Sequence, residues 1–496
     1  VEGAVAYYQA TGKRNFLDIA IRYADCVCKN IGDAPGQKRV IPGHQIAEMA
    51  LVRLYTVTGD RKYLDQAKFF LDARGTTARK DIYLQSHKPV LEQDEAVGHA
   101  VRAGYMYSGM ADVAAITGDT SYIHAIDRIW ENIVGKKIYI TGGIGARHEG
   151  EAFGDNYELP NLTAYNETCA AIGNVYTNYR LFLLHGDAKY FDVLERSLYN
   201  GLISGVSLDG GRFFYPNPLA CDGKYRFNAD HTITRQPWFG CACCPSNISR
   251  FIPSLPGYVY AVKDDKVYVN LFLSNRAELK VNGKNVVLEQ ETSYPWNGDI
   301  RLTVAKGNQP FVMNVRIPGW VRGSVLPSDL YSYADGEKLA YRVSVNGQEV
   351  KGTLQKGYLS IDRRWKKGDV VEIHFDMQPR VVKANDKVAA DRGRVAIERG
   401  PLVYCAEWPD NDFNISTLLL NRHPKFQLVE RPDLLGGINE ITTRAQALSY
   451  DATGRLATKD VKLTLIPYYA WAHRGEGRME VWLPIEVGAA SAELQE

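Results

Sequence analysis

Three thiols crowd into four residues at Cys241, Cys243 and Cys244, within the segment Trp238 to Asn247 (WFGCACCPSN). Thiols at this density suit a soft metal, and zinc, with four ligands drawn from cysteine, histidine and carboxylate, is its usual form. A disulfide framework fits poorly. The eight cysteines (Cys26, Cys28, Cys169, Cys221, Cys241, Cys243, Cys244 and Cys405) are scattered along a long chain, and neighbours such as Cys243 and Cys244 rarely bridge. Gly240 and Pro245 bound the cluster and predict a loop. One loop supplies only part of a ligand set. The complement is expected in Asn166 to Ala170 (NETCA), where Glu167 and Cys169 stand two apart ahead of a helix predicted over Ala170 to Leu184. On a regular helix two such residues point to nearly opposite sides, so joint ligation requires an extended or turning entry, which Pro160 and Asn161 suit. The plainer reading makes Cys169 a small buried hydrophobe.

Acids are the second resource. Thr141 to Pro160 (TGGIGARHEGEAFGDNYELP) places Glu149, Glu151, Asp155 and Glu158 in a glycine-rich loop. Glycosidases ordinarily pair a general acid with a second carboxylate. Here Glu151 could be the acid while a thiolate replaces the second carboxylate; the competing reading is solvated loop acids. No GxGxxG or GxxxxGK[ST] pattern accompanies the glycines, so phosphate binding has no support. His44 and His99 each follow a glycine at the beginning of a predicted helix, and Tyr215 (FFYPNPL) and Glu195 (LERSLYNG) are further polar candidates.

These residues need elements to position them. A degenerate repeat recurs at Tyr7 to Ala20, Leu54 to Ala67, Val113 to Ile126 and Leu181 to Leu194, each with apolar residues at helical spacing, a glycine (Gly12, Gly59, Gly118, Gly186) and a new amphipathic run. Each reads as a helical hairpin with a left-handed glycine cap. The glycines stand 47, 59 and 68 residues apart, too irregular for a thin solenoid. A toroid of hairpins, in which the ends bearing His44 and His99 converge, fits better. Four hairpins and a helix over Ser246 to Ala261 make nine helices where a closed six-hairpin toroid needs twelve, and Val1 to Ala10 already reads as the middle of a helix, so a preceding segment is expected. Beyond Tyr260 the period changes to two, as in Lys266 to Leu273, Phe311 to Ile317, Val343 to Val345, Val370 to Phe375 and Val481 to Pro484, with turns at Asn282-Gly283 and Asn346-Gly347. The expected architecture is multidomain α + β: an (α/α)6-type helical toroid over 1–261, a β-sandwich over 262–383, and a second sandwich or β-rich region over 384–496.

Across 496 residues, 59 Lys+Arg against 57 Asp+Glu give a net charge of +2 with no basic block, which argues against nucleic acid as a partner. No apolar run approaches the length of a membrane span. Tyrosine dominates the aromatics with 30 copies, a bias that suits either sugar-binding surfaces or half-buried elements. No compartment can be read, and a homodimer is left open.

Together these stretches resemble glycoside hydrolase family 127, the zinc-dependent β-L-arabinofuranosidases. The likeness runs from about His44 to Ala261 through GHQIAEMALVRLYTVTGD, EAVGHAVRAGYMYSGMADVAAITGD, KKIYITGGIGARHEGEAFGDNYELPN, TAYNETCAAIGN, GDAKYFDVLERSLYNGLISGVSLDGGRFFYPNPL and FGCACCPSN. It implies a retaining exo-hydrolase of terminal β-L-arabinofuranosides or related L-furanosides in plant cell-wall or glycoprotein glycans. It places zinc on Glu167, Cys169, Cys243 and Cys244, with Cys243 as nucleophile, Glu151 as acid/base, Cys241 as a bystander, and His44, His99, Glu195 and Tyr215 on the sugar. The rival readings are a toroidal lyase or epimerase with structural zinc, betrayed in a lyase by an ultraviolet-absorbing product, and a non-catalytic sugar-binding protein, which would show no turnover.

Overall fold

The computed structural model describes residues 1–491; residues 492–496 of the expected C-terminal region lie outside the described residues. Four helical hairpins open the chain: α1 (Glu2–Thr11) with α2 (Asn15–Asn30), α3 (Ile46–Thr58) with α4 (Arg61–Ala73), α5 (Ala100–Thr117) with α6 (Thr120–Asn132), and α7 (Thr168–His185) with α8 (Ala188–Ser197). Gly12, Gly59, Gly118 and Gly186 close the first helix of each in the left-handed region. In the last three hairpins the next residue, Asp60, Asp119 or Asp187, caps the second helix by accepting from the backbone N–H two positions on. The first hairpin has lysine at this place and no such cap. α5, α7 and α8 are buried along most of their length, whereas α2, α4 and α6 carry a polar face. α5 packs between α3 and α7. The approach to α7 is close enough that a Cβ added to Gly104 would sit 3.1 Å from the Gly173 carbonyl carbon.

One expectation is overturned here. Cys243 and Cys244 do not lie in a loop but open α9 (Cys243–Phe251), shorter than predicted and followed by a strand from Tyr260. Pro245 occupies the third position of that helix, where its missing N–H would have had no partner, so it is tolerated in the first turn.

The rest is sheet. A six-stranded sheet runs Gln348–Glu349, Tyr341–Val345, Val370–Phe375, Asp299–Lys306, Lys284–Thr292, Asn275–Val281. A four-stranded sheet runs Tyr358–Lys366, Asn308–Arg316, Lys266–Val269, Tyr260–Lys263. Strands of both alternate buried and exposed residues, so each sheet offers one apolar face. Asn282-Gly283 and Asn346-Gly347, all at positive φ, turn two tight hairpins. An eleven-stranded sheet spans the C-terminal region and also takes in Tyr331–Tyr333 and, from among the helices, Ala220–Asp222, which pairs with Arg478–Glu480. Buried polar contacts lock helices to sheets: Asn200 Nδ2 donates to Pro401 O at 2.8 Å, and Arg196 meets Glu398 at 2.9 Å. Among the described residues no helix is long and apolar enough to cross a membrane.

Candidate functional site

The chemically equipped residues gather at the starts of the inner helices. His44 lies two residues before α3, His99 is the N-cap of α5, Glu167 the N-cap of α7 with Cys169 in its first turn, and Cys243 and Cys244 begin α9, which packs on α7. The turn that lets Glu167 and Cys169 face one point is made by Asn166, at φ 43, immediately followed by the extended Glu167. This is the entry expected further upstream at Pro160 and Asn161. Thr168 fixes it, its N–H donating to Tyr215 O at 3.0 Å and its hydroxyl to Phe214 O at 2.9 Å.

Ligand atoms of Glu167, Cys169, Cys243 and Cys244 lie within 4.8 Å of one another, and this buried cluster could hold a metal ion. The sulfurs of Cys169 and Cys244 are 3.6 Å apart and those of Cys243 and Cys244 3.8 Å; Glu167 Oε1 is 3.5 Å from Cys243 Sγ and 3.6 Å from Cys244 Sγ. Glu167 Oε2 is buried without a hydrogen-bond partner. Contacts with Cys169 and Cys244, then Tyr215 and Glu167, draw the Cys243 thiol well below its ordinary value against the opposing effect of burial. Burial and the charge on Cys243 push the Glu167 carboxyl up. Cys241 is exposed and outside the cluster.

Of the four loop acids only Glu151 reaches this centre. Asp155 and Glu158 are spent on Arg147, at 3.1 Å and 2.5 Å, folding the loop back on itself. Gly150 and Glu151, both at positive φ, turn the tip inward, and paired hydrogen bonds between Arg147 and Ala152 hold the turn. Glu151 Oε2 then stands 2.7 Å from His99 Nε2, and His99, Glu151 and Glu167 offer ligand atoms within 4.8 Å of one another. Burial raises the Glu151 carboxyl, but the contact with His99, its charge and hydrogen bonds from Tyr165 and Glu167 outweigh it and leave the group below its usual value.

Tyr215 completes the centre, its hydroxyl 3.1 Å from Cys243 Sγ. His44 packs its ring 5.5 Å from that of Tyr105, and burial, with the charges of Arg102 and His99, lowers it to about 4. Glu195 is placed differently. It is buried at the helix–sheet junction, accepting from Arg316 at 2.5 Å and from Tyr294 at 2.8 Å, and none of these contacts is with the thiol cluster. Three residues at the centre escaped the sequence reading. Tyr165, in the same TAYNETC segment as Glu167, hydrogen-bonds Glu151. Tyr105 binds Asn247 and Arg250 of α9 at 2.8 and 3.0 Å beneath His44. Arg102 donates to Gly43 O beside His44. All three lie inside motifs quoted above, Tyr165 in TAYNETCAAIGN and Arg102 and Tyr105 in EAVGHAVRAGYMYSGMADVAAITGD, but neither residue type nor spacing singled them out there.

Family models match nearly the whole chain: the β-L-arabinofuranosidase GH127 catalytic domain over residues 1–257, the GH127 middle domain over 266–377 and the glycoside hydrolase family 127 C-terminal domain over 379–484. The chain belongs to glycoside hydrolase family 127. It is 36% identical to the non-reducing end β-L-arabinofuranosidase of Bifidobacterium longum subsp. longum, over 97% of this chain and 77% of that protein. Among solved structures it is similar to the GH127 β-arabinofuranosidase BT3674 (76% identity, TM-score 0.95, 98% of this chain and 76% of the other). It is also similar to Ara127N-Se, a GH127 β-L-arabinofuranosidase from Geobacillus stearothermophilus T6 (41% identity, TM-score 0.90, 97% and 78%). As a family 127 member the chain is a glycoside hydrolase acting on a carbohydrate, which sets aside the lyase, epimerase and non-catalytic readings.

Proposed function

We propose that this hydrolase is a retaining exo-enzyme that releases terminal β-L-arabinofuranosyl residues from plant cell-wall or glycoprotein glycans, with Cys243 as nucleophile and Glu151 as general acid and base, at one end of an (α/α)6-type toroid. The observation that carries the reading is the meeting of three thiols and a carboxylate within 4.8 Å, with a second glutamate in contact. The relatives' names supply the sugar and its non-reducing end.

Zinc is the ion this donor set would hold, on Glu167, Cys169, Cys243 and Cys244. Tetrahedral coordination with Zn–S near ~2.3 Å and Zn–O near ~2.1 Å requires sulfur–sulfur edges of ~3.8 Å and sulfur–oxygen edges of ~3.6 Å. The sulfur–sulfur separations of 3.6 and 3.8 Å and sulfur–oxygen separations of 3.5 and 3.6 Å fit. Bound there, zinc would keep the sulfurs deprotonated at neutral pH.

In the first displacement Cys243 Sγ bonds to the anomeric carbon as the bond from that carbon to the glycosidic oxygen breaks, and Glu151 gives its proton to the departing oxygen. Water then attacks the same carbon, Glu151 takes a proton from it, and the carbon–sulfur bond breaks with its electron pair returning to sulfur. Two inversions restore the configuration. His99, its Nε2 2.7 Å from Glu151 Oε2, positions the carboxyl for that transfer. Tyr215 orients the sulfur, and neutral His44, with His99 and Tyr215, binds sugar hydroxyls. Glu195 contributes by fixing α8 against the sheets.

The test is hydrolysis of methyl β-L-arabinofuranoside by the parent, Cys243→Ser and Glu151→Gln, with zinc content measured in each. Both variants should lose activity, and Glu151→Gln should keep its zinc. A fully active Cys243→Ser would overturn the nucleophile assignment and leave the cluster a structural knot.

A further inference from the structure

The acid/base must stand beside the glycosidic oxygen, so whatever is exposed next to Glu151, away from the nucleophile, meets the leaving group. Tyr83 is one such residue. Its ring lies 5.2 Å from, and edge-on to, the ring of His99, the histidine that holds Glu151. It also flanks the turn carrying Glu151, since a Cβ on Gly150 would be 3.7 Å from Tyr83 Cδ2. Tyr83 is 37% exposed and its neighbour Ile82 58%, and the Glu151 side chain is 31% exposed.

A mobile aromatic would serve poorly as a platform, and this one is fixed. Arg102 lies over the ring, 5.0 Å from its centre, and donates to Gly43 O, so one cation ties Tyr83 to the His44 loop. The Tyr83 carbonyl accepts from His99 N and from the side chain of Gln85, each at 3.3 Å. Gln85 is fully buried, sits at φ 51, and donates to Val97 O and His99 O at 2.9 and 3.1 Å, so Tyr83 and His99 share one support.

Resting on the assignment of Glu151 as acid/base, we propose that Tyr83, backed by Arg102, forms a leaving-group subsite that receives the C–H face of the sugar to which the released residue is attached. An apolar ring face suits the C–H surface of a sugar ring, while Arg102, its charge held by the tyrosine and Gly43, stiffens the platform. The subsite selects for a ring-bearing leaving group over a small alcohol.

The test compares kcat/KM for a β-L-arabinofuranosyl disaccharide with that for methyl β-L-arabinofuranoside, whose leaving group has no ring. In Tyr83→Ala the ratio of disaccharide to methyl glycoside should fall about tenfold, the order of one aromatic contact, with the change in KM. Tyr83→Phe should preserve the parent ratio, and a normal melting temperature establishes that each variant is folded. An unchanged ratio in Tyr83→Ala overturns the subsite, whether both substrates lose equally, as a positioning role through His99 requires, or neither does. Glu151→Gln run alongside separates the two failures: if it keeps full activity on methyl glycoside, the acid/base reading has failed, whereas its inactivity with an unchanged Tyr83→Ala ratio condemns the subsite alone.

Discussion

Asp391 is buried to 5% exposure where the C-terminal region meets the loop leading to the thiol cluster. Its Oδ1 accepts from Asn161 Nδ2 at 2.9 Å, and the Asn161 carbonyl in turn takes the N–H groups of Leu219 and Ala220 at 3.0 and 3.3 Å. Burial pushes the carboxyl from its ordinary 3.8 up to about 7, against the smaller pull of Asn161 and Arg394. At about 1.4 kcal/mol per pH unit, the charged form in the fold is disfavoured by about 4 kcal/mol. The sign follows from proton binding. The folded state holds this proton more tightly than the unfolded state, so the contribution to stability is fully present below pH 4 and is lost as pH rises to about 7. Asp391→Asn stays neutral throughout and its Oδ1 still accepts from Asn161. Above pH 7.5 the variant should therefore exceed the parent by up to about 4 kcal/mol, and near pH 4 the two should converge. Urea unfolding followed by tryptophan fluorescence, taken as variant minus parent from pH 4.5 to 8.5, cancels the other carboxylates. A difference that does not vary with pH, or a less stable variant at pH 8, refutes the reasoning.

Stripping the metal with a competitive chelator should abolish hydrolysis and lower the melting temperature, with recovery on adding zinc but not magnesium, because the thiolate donors are soft; recovery with magnesium contradicts the ligand set. Cys241→Ser should match the parent in zinc content and rate, since Cys241 is exposed and outside the cluster; zinc loss in that variant would make Cys241 a ligand. Gly98→Ala should lose both stability and activity, because Gly98 sits at φ 69 and a Cβ would lie 2.0 Å from Ile82 O, displacing His99. Circular dichroism and kcat/KM report this directly, and a parent-like variant refutes it. Arg316→Met would leave Asp192 and Glu195, now 2.9 and 2.5 Å from the guanidinium, buried without that cation. The cost should be about 3–5 kcal/mol in chemical denaturation, and a cost under about 1 kcal/mol would show the junction to be solvated.

Much of the helical half was legible because its signals are local. A glycine cap followed by an aspartate two residues before the next donor specifies a hairpin within five residues, and three of the four hairpins have this cap. The sheets were legible by period and by their Asn-Gly turns, but their membership was not. Nothing local in Ala220–Asp222 announces that it pairs with Arg478–Glu480 some 260 residues later. Glu195 shows the same limit: nothing local in its motif announces its partner Arg316, supplied by a distant strand.

The cysteines lie together in space although the local picture expected for them was wrong. Gly240 and Pro245 argued against a helix and for a loop. At the start of α9 that objection dissolves. Proline is harmless in the first turn, and the first two helical positions carry Cys243 and Cys244 with their sulfurs only 3.8 Å apart. Glu167 and Cys169 do the equivalent at the start of α7, as N-cap and second helical residue. Four groups that must be anionic to hold a cation thus sit at two helix N-termini, where unpaired backbone N–H groups favour negative charge. His99 caps α5 and His44 precedes α3, so the site draws on four helix starts and not on one loop. That placement separates construction from chemistry: the helices supply position and a favourable field, while the irregular segments before them, free of helical periodicity, can turn at Asn166, Gly150 and Glu151 to bring Glu167 and Glu151 to the cysteines.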